Sequence, residues 1–498
     1  MRKLLHICSV LFSAAVLFSC DDSDDMMSME NEVKGPDLMV YGITAGNELV
    51  SFNSNNPKAF ISKTAVSGVA SGEKLLSIDF RPATGELYAL SNASKLYVIN
   101  TSNASARTVN TTAFAPAVSG TIASIDFNPT VDRIRLVSNT GQNLRLNPET
   151  GAVAAMDSNI NGGGSPTITG VAYTNSRSGA SSTVLYDIDA ASGKLFKQDP
   201  PNAGTLVEVG SLGTTFTGQA AFDIKYDNSA ALVAVNNKLH MIDLNNGKAT
   251  NIGMLQQTVI DLAIPTEPVA YAVDNSNNLQ IFNPNNPMPV SKSIAGLQTG
   301  ENILGIDFRP ANGQLYALGS SSRMYTINLG TGAATAVGTS SLSTLLVGAD
   351  FGFDFNPTVD KIRVVSNTGQ NLRLDPVTGA VTPDGAINPL GATLSAAAYT
   401  NNMAGATSTT LFVIDHNTDK LYQQTPPNNG TLVETGSLGV NISNSNGFDI
   451  GSMSQKAYLM ATVGTSTKIY SINTTTGAAT SVADFPNAVK AFALGLGF

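Results

Sequence analysis

Tryptophan is absent from the 498 residues, cysteine occurs twice and histidine three times. Without tryptophan the chain lacks the largest aromatic face for stacking against a sugar ring. Cys8 falls in a leader expected to be removed, which leaves Cys20 without a disulfide partner, so stability must come from packing. His240 and His416 stand far apart in the sequence, so no histidine-built zinc, copper or iron site is expected, and no metal or cofactor. There is no Gly-x-Ser-x-Gly elbow, no phosphate-binding loop and no cysteine nucleophile, and with no catalytic constellation visible the chain reads as a non-enzyme. Helical periodicity is almost missing, which argues against an α/β enzyme of this size.

What is present begins with a secretion signal: Arg2 and Lys3, an apolar run from Leu4 to Phe18, and Ser19 before Cys20. The run is too short for a membrane span. Leu17-Phe18-Ser19-Cys20 resembles a bacterial lipobox, which assigns residues 1–19 to a lipoprotein signal peptide and makes Cys20 the lipidated residue. Residues 20–37 read as an acidic, flexible tether that opens with Asp21, Asp22, Asp24 and Asp25. An acidic tract in this place resembles the surface-export signal of Bacteroidetes lipoproteins. The expected address is the outer membrane, lipid-anchored and surface-exposed, with a periplasm-facing anchor as the alternative. Loss of Arg2 and Lys3 leaves 26 basic against 37 acidic residues, a net charge of −11, which disfavours nucleic acid and leaves the lipid as the sole membrane contact.

The rest of the chain says everything twice. Residues 38–265 and 266–498 form two copies: Ile78-Asp-Phe-Arg-Pro82 returns as Ile306-Asp-Phe-Arg-Pro310, and Gly210-Ser-Leu-Gly213 as Gly436-Ser-Leu-Gly439. Inside each copy a shorter unit of four apolar or Thr/Ala/Val-rich strands recurs, the sequence signature of a propeller blade. Anchors at Asp79, Asp126, Val171-Ala-Tyr173, Asp223 and Asp261 count five such units. Nothing ahead of Leu38 supplies an innermost strand, so Val259–Ile264 and Val489–Leu496 are expected to return and complete the first unit of each copy. The expected fold is all-β, two tandem five-bladed β-propellers, with a single ten-bladed ring as the alternative.

The copies are most alike in one place. From Phe127–Val153 to Phe355–Val381 only four of 27 positions differ. Strand alternation puts Ile134 and Leu136 on one face and Arg133, Arg135 and Val137 on the other. A three-residue loop with Gly141 in third position then sets Leu136 opposite Leu144 and Arg135 opposite Arg145, and likewise Arg363 opposite Arg373. Opposed like charges need an anion. Asp126 on the neighbouring strand could lie in the same row, and Asp132, Asp79 or a bound anionic ligand could offset the positive charge that remains. Two readings follow. In one, Asp79, Asp126, Asp307 and Asp354 form buried ion pairs with arginine between blades. In the other, Arg135, Asn139, Gln142, Asn143 and Arg145, with Arg363, Asn367, Gln370, Asn371 and Arg373, line a pocket for a small anionic or glycan ligand.

The Ile-Asp-Phe-Arg-Pro motif and the Phe-Asn-Pro-Thr-Val-Asp-Arg-Ile-Arg block resemble the bacterial domain of unknown function 4394 family, over two tandem copies. The resemblance implies a secreted, propeller-like domain with no established activity. The expected role is a ligand- or protein-binding module without catalysis. The rivals are a polysaccharide hydrolase or lyase with channel carboxylates, which would need acidic side chains converging at one mouth, and a structural envelope protein.

Overall fold

The computed structural model describes residues 33–498 other than 165, 215 and 217. The signal peptide, Cys20 and most of the tether lie outside the described residues. The described chain is one compact unit of strands, interrupted only by the three-residue 3-10 turns Pro201–Ala203 and Pro427–Asn429.

Ten sheets carry the fold, nine of four strands and one of five, in which Asn161–Gly162 adds a short parallel edge. Eight of the ten run consecutively in sequence, as in Leu75–Phe80, Leu87–Ser91, Leu96–Ile99 and Ala106–Thr108. The other two are closed by a late strand. Asp261–Ala263 pairs antiparallel with Met39–Ile43, and Val489–Leu494 with Ala270–Asp274. The returning strands are therefore used as the sequence suggests, one per copy.

The innermost strands of the first copy touch in cyclic order: Asp261–Ala263, Leu75–Phe80, Ala123–Asn128, Ile168–Tyr173, Ala221–Ile224 and back. Those of the second copy do the same, from Val489–Leu494 through Ile303–Arg309, Phe351–Asn356, Leu394–Tyr399 and Asn444–Ile450. Innermost strands are fully buried while the outermost, such as Phe60–Ala65, are largely exposed, so apolar packing between neighbouring sheets forms the core.

Innermost strands of neighbouring sheets pack without pairing, which leaves amides along their edges to be satisfied. A recurrent aspartate does this. Asp79 accepts from Phe127 N at 2.7 Å, Asp126 from Tyr173 N at 3.0 Å and Asp223 from Ile264 N at 2.6 Å. Asp307, Asp354 and Asp449 repeat the bonds to Phe355 N, Tyr399 N and Leu494 N. Each carboxylate thus clasps one sheet to the next.

Candidate functional site

The near-identical segment forms the sheet Ala123–Asn128, Arg133–Ser138, Asn143–Leu146 and Val153–Met156. Its register is the one alternation dictates. Arg135 stands across from Arg145 on one side and Asp126 on the other, and Arg363 across from Arg373 and Asp354.

The anion between the arginines belongs to the chain itself. Asp157 Oδ2 accepts from Arg135 Nη1 at 2.5 Å and from Arg145 Nε at 2.8 Å, while Oδ1 takes Arg145 Nη2 at 2.8 Å. Arg135 Nη1 also reaches Asn143 Oδ1 and Nη2 reaches Asn202 Oδ1, and its side chain is 1% exposed. Asp384 performs the same service for Arg363 and Arg373. Burial alone would raise both carboxyls, yet the bonds from the two arginines hold each below its usual range.

The anion expected from Asp126, Asp132, Asp79 or a ligand is therefore Asp157, just past the near-identical block. Its counterpart Asp384 sits one residue closer to that block. Copy one absorbs the extra residue in a bulge, where Arg145 pairs with Ala155 and Leu146 with Val153, while copy two pairs without interruption. An aspartate three or four residues beyond the shared block in both copies was the available signal.

The hairpin side chains are also committed. Asn139 Oδ1 accepts from Thr121 N and Ile122 N, and Gln142 bridges Ser119 N and Ala117 O. Asn143 Nδ2 donates to Ser158 O and Pro201 O. In copy two Asn367 binds Ala349 N and Asp350, Gln370 bridges Val347 N and Leu345 O, and Asn371 donates to Gly385 O and Pro427 O. The expected ligand residues form a filled hydrogen-bond network.

The ion-pair expectation for Asp79, Asp126, Asp307 and Asp354 needs correction. Among the described residues none of the four has an arginine or lysine within salt-bridge distance. The long Arg135 side chain is drawn outward to Asp157, and the short Asp126 side chain reaches the next strand's amide instead. The carboxylates face one another: Asp79, Asp126 and Asp223 offer oxygens within 4.8 Å, as do Asp307, Asp354 and Asp449. Burial, then the neighbouring carboxylates, push Asp79, Asp126, Asp307 and Asp354 well above the usual range, and burial lifts Asp223 and Asp449 to about 7. An all-oxygen donor set of this kind suits a hard cation. Protonation relieves the same repulsion.

Asp132 does pair, with a residue the sequence reading left aside. Arg81 Nε and Nη2 donate to its two oxygens at 2.9 and 2.5 Å, and Nη1 donates to Gly313 O of the other copy at 3.1 Å. Arg81 thus belongs to a seam between copies, where Tyr271 also donates to Ala83 O and Gly497 N to Thr84 O. A Cβ at Gly497 would lie 2.0 Å from Gly85 O, so the backbones meet there only because the residue is glycine.

Beside this seam lies a cavity of about 520 Å³ between the copies, within the range of small-molecule sites. Tyr41, Phe80 and Arg107 of the first copy and Asn402, Met403 and Leu496 of the second contribute to its wall. Asn402 is buried, and its Oδ1 has no hydrogen-bond partner among the described residues. No residue of the invariant block lines this cavity. It depends on both copies, and sequence reading had no sign of it.

Comparison with known proteins gives a family and little else. No curated protein matches. Among solved structures, the extracellular domain of a proposed one component system from B. thetaiotaomicron is similar over 90% of this chain, at 11% identity and a TM-score of 0.25. This chain covers 59% of that one's length. The model of the family described as Domain of unknown function (DUF4394) matches residues 48–263 and again 278–495. With both halves matched, the chain belongs to that family as a tandem pair of its domains.

Proposed function

We propose that the chain is a lipid-anchored module of the outer membrane, built of two five-bladed β-propellers, that captures a small molecule without transforming it. Two separate cycles of five innermost strands, each closed by its own returning strand, support two rings over one ring of ten. The anchor rests on the Leu17–Cys20 motif and the acidic tract behind it.

The observation that carries the binding reading is the cavity between the copies, walled by residues of both. The test is a broad small-molecule screen of the full chain by thermal shift, with Ala404→Phe in the cavity wall as control. Hits that Ala404→Phe abolishes support the reading, and hits indifferent to it contradict it.

A hydrolase or lyase is the second reading, favoured by the convergence of carboxylates with raised pKa values. Against it, Asp79, Asp126 and Asp223 are all buried and engaged by backbone amides, so a polysaccharide has no path to them. Asp126→Asn is expected to change stability and to leave turnover of any polysaccharide at background.

A further inference from the structure

The two copies form the seam unequally, and the inequality shows what the cavity wants. Tyr271 of the second copy is fully buried, its hydroxyl held by Ala83 O at 2.8 Å and Ser178 Oγ at 2.7 Å. Its counterpart Tyr41 is only half-buried, lines the cavity, and has no hydrogen-bond partner for its hydroxyl among the described residues. The residue matching Ser178 is Ala404, also in the cavity wall, which has no hydroxyl to offer. One side of the pseudo-symmetric seam is filled by protein, and the other is left open.

On the open side several side-chain donors are already spent. Arg107 spends Nη2 on Glu86 at 2.8 Å and Nη1 on Ala311 O at 3.2 Å. Thr84 donates to Glu86, Ser452 to Leu496 O, and Asn100 Nδ2 to Met403 Sδ. Asn402 Oδ1 has no donor, and Glu267, from the link between the copies, has only Asn283 Nδ2 at 3.2 Å. Among the described residues no lysine or arginine lies within salt-bridge distance of Glu267, so with Glu86 cancelled by Arg107 the wall is left with one negative charge. The remaining surface is apolar. Tyr41 and Phe80 meet edge to face at 5.6 Å, and Met403 and Met453 add two adaptable side chains.

Resting on the binding reading above, we propose that the cavity takes an amphipathic amine: a cationic nitrogen for Glu267, on an apolar body against Tyr41, Phe80 and the methionines. Aromatic faces favour a cation beside them, and a carboxylate ligand would meet the charge of Glu267, which no lysine or arginine offsets among the described residues.

The test is calorimetric titration of the full chain with three probes of similar shape: 2-phenylethylamine, 2-phenylethanol and 3-phenylpropionate. The amine is expected to bind about ten-fold tighter than the alcohol, with no heat from the carboxylate. Glu267→Gln, at a half-buried position, is expected to remove that preference while alcohol binding stays. The melting temperature of each variant reports its folding. Equal binding of amine and alcohol, both lost in Ala404→Phe, overturns the cation preference and leaves the binding reading standing. Preference for the carboxylate, or no binding of the amine, overturns the proposal outright. A ligand screen without a cavity-dependent hit is the separate result that removes the binding reading.

Discussion

Arg81 and Arg309 fill the same place in the same pentapeptide, Ile-Asp-Phe-Arg-Pro, and bond the matching aspartates Asp132 and Asp360. Their surroundings differ. The Arg81 side chain is 0% exposed and its partner 6%, whereas Arg309 and Asp360 stand at 15% and 39%. Two neighbours make the difference: Gly313 O of the other copy caps Arg81, and Glu149 of its own copy approaches it at 3.4 Å where copy two has an exposed Val377. Repetition sets the local geometry of each sheet, and position within the pair sets its energetics.

That contrast can be broken most forcefully at the arginines. Arg81→Ala leaves Asp132 buried without its partner, and a loss of about 3–5 kcal/mol is expected in chemical denaturation. The same change at Arg309 exposes its partner to water and is expected to cost about 1 kcal/mol or less. Equal losses would mean that the seam between the copies contributes nothing to the pair.

A second contrast concerns Asp187, which faces an apolar cluster in copy one where copy two has Val413. Both its oxygens are buried without a partner, and burial, only partly offset by Arg135, lifts its pKa to about 8. Asp187→Val, which copies the second half of the chain, is expected to raise stability by about 1–3 kcal/mol at neutral pH, read from the denaturation midpoint. An unchanged or lower midpoint would show that the carboxyl has a use the geometry does not reveal.

The same group sets a pH dependence. Asp187 and Asp261 titrate at about 8, and Asp223 and Asp449 at about 7, all above the unfolded value of roughly 3.9. The folded chain therefore holds more protons than the unfolded one between those limits. Stability is full below about pH 4 as far as these groups are concerned, and is lost as pH rises through 7 and 8. Asp157 and Asp384 act oppositely and weaken the chain only in stronger acid. Melting temperature is expected to fall from pH 5 to pH 8, and less steeply in Asp187→Val.

The smallest effect is expected where the copies agree. Asn139→Ala and Asn367→Ala each remove hydrogen bonds that hold a loop, at a cost of about 0.5–1.5 kcal/mol apiece, with ligand binding unchanged. A loss of binding in either would return the site to the hairpin.

The residues explain which of these features could be read in advance. Period-two alternation and Gly141 were enough to put Arg135 opposite Arg145, because strand register follows from local pattern. The returning strands were legible because the sequence shows no strand-like pattern ahead of Leu38, and a late strand does pair with Met39–Ile43. Asp157 escaped the sequence pattern because a one-residue bulge shifts it against Asp384, so the two copies do not align at that aspartate. The arginine partners assigned to Asp79 and Asp126 were wrong because alternation gives the face of a side chain and not its reach. The cavity joins Asn100 to Met403 and Tyr41 to Asn402, and no periodicity encodes contacts of that separation.

The measurement that decides most directly where the site lies is a crystal structure of the full chain soaked with 2-phenylethylamine. Density between Glu267 and Asn402, with the Asn139–Asn143 and Asn367–Asn371 hairpins empty, is the expected result. Density against Arg145 or Arg373 at those hairpins, with the seam empty, would contradict it.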